Sequence, residues 1–297
     1  TRFKHEFVSF DRSRLTCYIN NDKKQKESLS LRFLYRTFIG RLCLKLLTAR
    51  WISKLAGAFL NTRLSKPMIK RFVKKNGIDL NDFHSDNFKC FNDCFTRKIK
   101  DGKRPMDMSP EAFVAPCDAL LSAYNIDDNT VLHIKGSDYR ISDLLGGSDK
   151  AELFSGGIAL VFRLCVTHYH RYVYFDSGSK GENVFIKGKL HTVRPIALEA
   201  LPVFVRNCRE YTIMKTDNFG TAAQIEVGAL LVGKIKNHHG EHTFSRGEEK
   251  GMFLYGGSTV VLLLEKDKAI LDKSLFEATQ KGEETPVVMG ERLGERA

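Results

Sequence analysis

The stretch that decides the fold is "YGGSTVVLLL", residues 255–264, in which two glycines and two small hydroxyl residues lead into five apolar side chains. An apolar run of this length, entered through a turn, is typical of a strand that is buried on both faces. Glycine accepts positive φ, and serine and threonine can hydrogen-bond their own backbone, so the simplest interpretation of residues 256–258 is a tight turn. That interpretation leaves open whether Ser258 also has a chemical role.

The sequence after residue 105 divides into short runs rich in β-branched residues, separated by glycine or Asp/Asn turns. Such runs include "YRISDLL" (139–145), "GIALVFRLCVTHYHRYVYF" (157–175), "ALPVFVRNCREYTIMKT" (200–216) and "TAAQIEVGALLVGKIKN" (221–237). Many short runs of this kind predict a β-rich, sandwich or barrel-like domain with little helix. No strand is followed by GxGxxG and no GxxxxGK[ST] occurs, so a nucleotide-binding fold has no support.

The basic residues are concentrated at the front of the chain. Residues 1–104 contain 25 Lys and Arg against 9 Asp and Glu, a net charge of +16, whereas the remainder has a net charge of −4. The stretch 38–60 is rich in helix formers but carries a basic residue every four or five positions, so it is too charged to span a bilayer. A second helix is expected to begin near Pro67 and to end at Asn76–Gly77. We therefore predict an α+β protein, with a basic, mainly helical region in residues 1–104 and a β-rich domain in residues 105–297.

The composition of the basic region favours a membrane surface as its partner. Trp51 and the leucines around it suit the interface of a bilayer better than a nucleic-acid groove, and an anionic leaflet attracts Lys and Arg. The alternative that stays open is a helical packing unit with a solvated basic face. Because the strands lack interleaved aromatic and basic residues, and no zinc or helix-turn-helix pattern occurs, we expect no nucleic-acid partner.

Three kinds of residue outside the apolar runs could carry chemistry. His168 and His170 lie two apart on a predicted strand and would share one face. Asp118 interrupts an apolar run, where a carboxylate is costly unless it is exposed or paired. With Ser258, these residues provide the components of an Asp–His–Ser relay, although their spacing alone does not distinguish a relay from unrelated residues.

Metal and disulfide chemistry are not expected. No acidic residue follows His168 and His170 before Asp176, so a third ligand is missing, and the cluster "HHGEH" (238–242) surrounds a glycine in a predicted hairpin loop. We predict no metal site, and a metal hydrolase stays open only as an alternative. The seven cysteines are scattered along the chain and are expected to be free thiols.

Six segments, taken in order, resemble one enzyme family. They are "FNDCFTRKIKDGKRPMD" (91–107), "VAPCDALL" (114–121), "CVTHYHRYVYFDSG" (165–178), "GKLHTVRP" (188–195), "VGALLVGKI" (227–235) and "RGEEKGMFLYGGSTVVLL" (246–263). Together they resemble the phosphatidylserine decarboxylases, and most closely the bacterial branch with a GGST processing site. The resemblance covers residues 30–297, and the GGST segment is its most specific part.

The resemblance implies a self-processing enzyme with a covalent pyruvoyl cofactor. Ser258 would attack the carbonyl of Gly257, the chain would break there, and residue 258 would become the pyruvoyl group at the start of a 258–297 α chain, leaving 1–257 as the β chain. Decarboxylation of phosphatidylserine to phosphatidylethanolamine would then proceed through a Schiff base with that group. Glycine at position 257 suits the close backbone approach that the acyl shift requires.

The resemblance also assigns Asp118 and His170 to catalytic positions. Many family members carry a second histidine three residues after the one in "YHR", where this chain has Val173, and an Asp where it has His168. His170 is therefore the first candidate for the residue that takes the proton from Ser258, and His168 and His191 are the alternatives.

The resemblance further implies an enzyme of phospholipid biosynthesis in which the α and β chains of one precursor stay associated. It would bind phosphatidylserine and an anionic membrane surface. We expect a homodimer at the cytoplasmic face of the cell membrane. The competing interpretation is a catalytically silent membrane-surface protein of the same fold, in which GGST is only a turn.

Overall fold

A computed structural model describes residue 37 and residues 50–127, 130–134, 137–147, 149–187, 208–228, 235–254 and 258–297. The α-helices in these ranges are α1 (Arg50–Leu60), α2 (Pro67–Asn76), α3 (Phe91–Phe95), α4 (Ile141–Leu144) and α5 (Lys273–Gln280), with 3₁₀ turns at Arg63–Ser65 and Asp149–Phe154. The strands of the first half are β1 (Ala112–Val114), β2 (Ala119–Asn125), β3 (Val131–Ile134), β4 (Ser137–Arg140), β5 (Ile158–Leu164), β6 (Arg171–Val173), β7 (Gly178–Lys180) and β8 (Val184–Ile186). Those of the second half are β9 (Arg209–Thr216), β10 (Gly220–Val227), β11 (Ile235–Asn237), β12 (His242–Phe244), β13 (Glu249–Phe253), β14 (Ser258–Leu264), β15 (Ala269–Leu271), β16 (Thr285–Val287) and β17 (Arg292–Arg296).

A nine-stranded antiparallel sheet forms the body of the protein, in the order β12-β7-β9-β10-β14-β5-β2-β16 with β8 also paired to β9. All seven residues of β14 are buried, as the sequence predicts. The side chains of β14 alternate between two cores, with Val260, Leu262 and Leu264 in the larger core and Val261 and Leu263 in the other. The continuous apolar run is thus explained by a central strand that is covered on both faces.

Smaller sheets accompany the main one. β11, β13 and β6 form one three-stranded sheet, β1, β17 and β15 form another, and β3 pairs with β4. Tyr172 of β6 and Phe253 of β13 belong to the larger core, the one that receives Val260 and Leu262. The sheet of β6, β11 and β13 therefore contributes to the core on the face of β14 that carries the even-numbered residues.

Helices α1, α2 and α3 form a small unit before the sheets. Leu60, Ile69, Phe91, Cys94 and Phe95 make its core. α2 begins at Pro67 and ends at Asn76, and Gly77 takes positive φ of 61° as its cap, as the sequence predicts. No helix in the described part of the chain is long and apolar enough to cross a membrane.

Several local predictions are corrected. The sheets of the described ranges are open, so the barrel-like option is wrong while the β-rich class is confirmed. "YRISDLL" is split between β4 and α4, because Asp143 accepts a hydrogen bond from the Arg140 N–H and favours a helix start. Residues 238–241 do not form a hairpin, since β11 pairs with β13 and β12 pairs with β7. The domain boundary at residues 104 and 105 stays a prediction.

Candidate active site

Ser258 is the first residue of β14 and lies opposite Leu164, the last residue of β5. Its position in the alternation places it on the face of Val260 and Leu262. The side chain is fully buried, and its Oγ has no hydrogen-bond partner among the described residues. A buried hydroxyl without a partner is costly, so this position is unusual for a residue that serves only as part of a turn.

Residues 165–170, which we call the histidine loop, connect β5 to β6 and carry both candidate histidines. The predicted strand for these histidines is wrong, because β5 ends at Leu164 and β6 begins only at Arg171. The loop starts next to the partner of Ser258, and its other end is held by a 2.9 Å hydrogen bond from the Phe253 N–H to the His170 carbonyl. Phe253 thus contacts one end of the loop, and Ser258 is paired with the residue that precedes its other end.

The hydrogen bonds of the two histidines indicate which ring nitrogen carries the proton when each ring is neutral. Nδ1 of His170 is 2.9 Å from the His168 carbonyl oxygen, which can only accept, so Nδ1 carries the proton. The neutral His170 ring therefore presents a lone pair at Nε2, the form that a general base needs. In His168 the pattern is reversed, because Nδ1 accepts the Cys165 N–H at 3.1 Å and the proton of the neutral ring is on Nε2.

Asp118 is buried just before β2 and is held by a bidentate pair with Arg104, with distances of 3.1 and 2.8 Å. The Met289 N–H also donates to it at 2.9 Å. Burial alone would raise the pKa of Asp118, but the Arg104 charge and these hydrogen bonds outweigh it, and His168 lowers it further. The pKa is therefore below its ordinary value, and Asp118 is a carboxylate electrostatically coupled to His168.

The segment around α3 supports the histidine loop from outside the sheets. The ring of Phe95 lies 3.9 Å from that of His170, centroid to centroid. Arg97 donates to the carbonyl oxygens of Thr167 at 2.8 Å and His168 at 3.2 Å. Nε of Arg171 donates to a carbonyl in the same segment at 2.8 Å. These contacts fix the backbone that orients both imidazoles.

Sequence reasoning did not identify Arg97 and Arg104 as site residues. Both lie within the segment 91–107, whose resemblance to the family was the only available signal. Two other predicted residues, His191 and Gly257, lie outside the described residues.

A buried ion pair, also missed, lies close to β14. Lys250 and Glu226 are fully buried and 2.7 Å apart, and Asn237 bonds to both. Burial raises the pKa of Glu226, and Lys250 opposes that effect. Because Glu226 is directly opposite Val260 on the neighbouring strand, the pair lies two residues along β14 from Ser258.

A second group of titratable residues, which we call the His239 cluster, comprises His239, His242 and Glu248. Burial lowers the pKa of His239, as does the neighbouring His242. Burial alone would raise the pKa of Glu248, but hydrogen bonds from Ser245 and His242 lower it overall. Within the described residues this is the group whose ligand atoms lie close enough together to hold a metal ion.

Comparison with known proteins places these residues in a family. A family model described as phosphatidylserine decarboxylase matches residues 91–295. The chain belongs to the phosphatidylserine decarboxylase family. The matched span contains Asp118, His168, His170 and Ser258, together with the α3 segment that supports the histidine loop.

Individual relatives match over almost their whole length. A protein of Clostridium acetobutylicum named phosphatidylserine decarboxylase proenzyme 2 is 42% identical over 274 residues, covering 92% of this chain and 94% of the relative. Phosphatidylserine decarboxylase proenzymes of Ruminiclostridium cellulolyticum and Clostridium kluyveri are 45% and 40% identical, covering 89% and 93% of this chain and 90% and 98% of the relatives. The family resemblance predicted from the sequence is confirmed.

Proposed function

We propose that this chain is a proenzyme that cleaves itself between Gly257 and Ser258 and then decarboxylates phosphatidylserine to phosphatidylethanolamine. Membership of the decarboxylase family and the proenzyme names of its relatives support the reaction and the zymogen character. The cleavage position, the pyruvoyl cofactor and the roles of individual residues are our proposal.

The observation that carries the proposal is the Ser258 hydroxyl. It is buried at the entrance of the central strand, lacks a hydrogen-bond partner among the described residues and borders the histidine loop. Such a hydroxyl is available for attack on the preceding carbonyl, and the rigid strand that follows would hold the product in place. The position of Ser258 is therefore compatible with a pyruvoyl group that forms from the residue itself.

His170 is proposed to accept the Ser258 proton. Its Nε2 carries the lone pair, and its orientation is fixed by the bond from Nδ1 to the His168 carbonyl. As Oγ of Ser258 attacks the Gly257 carbonyl, the hydroxyl proton passes to Nε2 and the amide becomes an ester. Asp118 acts at one remove, through the electrostatic coupling of its carboxylate to the side chain of His168 in the same loop.

Elimination and loss of ammonia complete the maturation. Removal of the α-proton of residue 258 breaks the ester and releases residues 1–257 with a new carboxyl terminus. Water then replaces the nitrogen of residue 258, which leaves as ammonia. Once formed, the pyruvoyl group supplies an electron sink for the carbanion that develops as carbon dioxide departs. In this second reaction His170 would act in its protonated form and deliver the Nε2 proton to the α-carbon of the substrate.

The test is an intact mass spectrum of the purified protein and of Ser258→Ala. We expect two chains from the wild type, the smaller one lighter than a 258–297 peptide by one ammonia. Ser258→Ala should stay as one chain without decarboxylase activity, whereas Ser274→Ala, which changes an exposed serine of α5, should be processed normally. An uncleaved wild-type chain with full decarboxylase activity, or cleavage of Ser258→Ala, would contradict the proposal.

The partners and location are also proposed. We infer that the protein binds anionic membranes from the cytoplasmic side and forms a homodimer. The charge of residues 1–104 supports membrane binding, as do exposed Leu55, Phe59, Leu64 and Met68 in the helical unit.

A further inference from the structure

The His239 cluster brings together two imidazole nitrogens and one carboxylate oxygen that have no part in the proposed self-cleavage. Nε2 of His242 lies 2.7 Å from Oε1 of Glu248, and Nε2 of His239 lies 3.7 Å from the same oxygen. The ligand atoms of all three residues are within 4.8 Å of one another. We propose that His239, His242 and Glu248 bind a divalent transition-metal ion, and that Zn²⁺ is the cation that fits them.

The donor set favours Zn²⁺ over the common hard cations. Imidazole nitrogens suit zinc and its transition-metal neighbours, whereas Mg²⁺ and Ca²⁺ prefer sites made of oxygen alone. Bonds of about 2.0–2.1 Å in a tetrahedron place ligand atoms about 3.4 Å apart. The observed separations bracket this value, although the rings of His239 and His242 are stacked with centroids 3.9 Å apart and must turn so that both lone pairs point at the ion. The three side chains are about 30% exposed, which leaves a fourth position for water.

The backbone that carries the ligands is fixed by neighbouring strands. His242 begins β12 and is paired with Lys180 of β7. The carbonyl of His239 accepts a 2.8 Å hydrogen bond from Asn183, and that of Glu248 accepts a 2.9 Å hydrogen bond from the Tyr174 N–H. The ligands therefore converge without large rearrangement of the chain, which reduces the cost of closing a site.

Tyr174 supplies an outer partner for one ligand. Its hydroxyl oxygen lies 3.4 Å from Nδ1 of His239, and its ring stacks on Phe244 at 4.0 Å between centroids. A proton on Nδ1 that points to this hydroxyl leaves the lone pair of Nε2 for the metal. Metal-ligating histidines usually have such a partner on the other nitrogen.

The adjacent histidine provides a matched control. His238 precedes His239 but bonds instead to Glu249, at 2.6 Å, and Glu249 is also paired with Arg171. Replacing His238 therefore leaves the cluster intact. His238→Ala and His239→Ala each remove one neighbouring histidine, so they differ only in whether a proposed ligand is lost. A metal at the cluster would tie residues 239–242 to the turn before β13, which stabilises an edge of the main sheet.

The experiment uses the full-length protein, freed of any affinity tag and treated with a chelator. We measure bound zinc per chain after dialysis, and the dissociation constant by calorimetric titration with Zn²⁺. Wild type and His238→Ala should each bind one Zn²⁺ at this site with equal affinity. His239→Ala, His242→Ala and Glu248→Gln should each bind at least about a hundredfold more weakly, and Tyr174→Phe about tenfold more weakly.

Thermal unfolding gives a second readout that does not depend on processing or activity. Zn²⁺ should raise the Tm of wild type and His238→Ala, because it binds the folded state, and should leave the Tm of the three ligand variants unchanged. Failure of the wild type to retain zinc would overturn the proposal, as would zinc binding that survives loss of both His239 and His242. An equal Tm rise with Mg²⁺ would overturn the assignment to a transition metal.

Discussion

At the scale of single residues, His168 and His170 differ in which ring nitrogen carries the proton. The carbonyl of His168 fixes the proton of His170 on Nδ1, whereas the Cys165 N–H fixes that of His168 on Nε2. We therefore expect His170→Ala to slow self-cleavage about 10²- to 10⁴-fold, the range for loss of a general base. His168→Ala should slow it less, since it removes an electrostatic neighbour and not the acceptor.

For both histidine variants, we would measure how fast the precursor is converted into the 1–257 and 258–297 chains during cell-free translation. Imidazole added to the medium should partly restore cleavage of His170→Ala if the ring acts as a base. Equal rates for His170→Ala and the wild type would contradict the assignment and direct attention to His168 or His191.

Asp118 gives a prediction about stability and pH. Its pKa in the folded protein is below the ordinary 3.8, so its contribution is present above that value and is lost as the pH falls through the folded-state pKa. Asp118→Asn removes the bidentate partner of the partly buried Arg104 and leaves it only the Asp82 carboxylate at 4.0 Å, which should cost about 2 kcal/mol at pH 7. The difference from the wild type should shrink as the pH is lowered below 3.8.

This difference is measured by urea unfolding, with both proteins carrying Ser258→Ala so that each is a single chain. Combining Asp118→Asn with Arg104→Gln should recover part of the lost stability, because no unpaired charge remains. A difference that is constant from pH 7 to pH 3 would show that the carboxylate is not the source of the stabilisation.

At the scale of elements, the α3 segment positions the histidine loop. Arg97 donates to two carbonyl oxygens of that loop with one guanidinium nitrogen and to the Cys94 carbonyl with the other, and a single lysine ammonium cannot occupy both positions. Arg97→Lys should therefore slow self-cleavage about tenfold to a hundredfold through misplacement of His170. Arg246→Lys changes another buried arginine, which is paired with Asp176, and is expected to affect stability without slowing cleavage.

The two variants are compared by cleavage rate and by Tm. A positioning role predicts a rate effect in Arg97→Lys that exceeds the effect in Arg246→Lys at a similar loss of Tm. If the rates simply follow the Tm values, Arg97 is only structural.

The elements also show what the sequence could reveal. The buried strand β14 and the helix α2 were predictable, because an unbroken apolar run and a Pro–Gly frame are local signals. The histidine loop was mistaken for a strand because its alternating pattern resembles one, although its backbone bonds go to the Arg97 side chain and to β13. The Arg104–Asp118 pair joins distant residues, and local periodicity carries no information about such contacts. In the His239 cluster the two histidines were visible in "HHGEH", but the approach of Glu248 was not.

At the scale of the whole molecule, a basic helical unit adjoins an enzyme body that is mildly acidic. Six Lys and Arg side chains between Arg63 and Lys75 are exposed, and each contributes about 1 kcal/mol near an anionic leaflet. Leu64 is 77% exposed and Met68 is 44% exposed among these charges. Apolar side chains surrounded by basic ones are typical of a surface that inserts into the headgroup region.

We therefore expect the double variant Leu64→Asp/Met68→Asp to weaken binding to phosphatidylglycerol vesicles at least about tenfold, since it removes apolar contact and adds negative charge. Self-cleavage should be unchanged, because these side chains point to solvent and the small core of the unit is formed by others. Point variants are preferable to deleting α1, which contributes Leu60 to that core. Ile270→Asp, at a side chain that is 58% exposed in β15, is the control for a new surface charge. Sedimentation with vesicles should separate the two variants in low salt, and equal binding would exclude residues 64 and 68 from the docking surface.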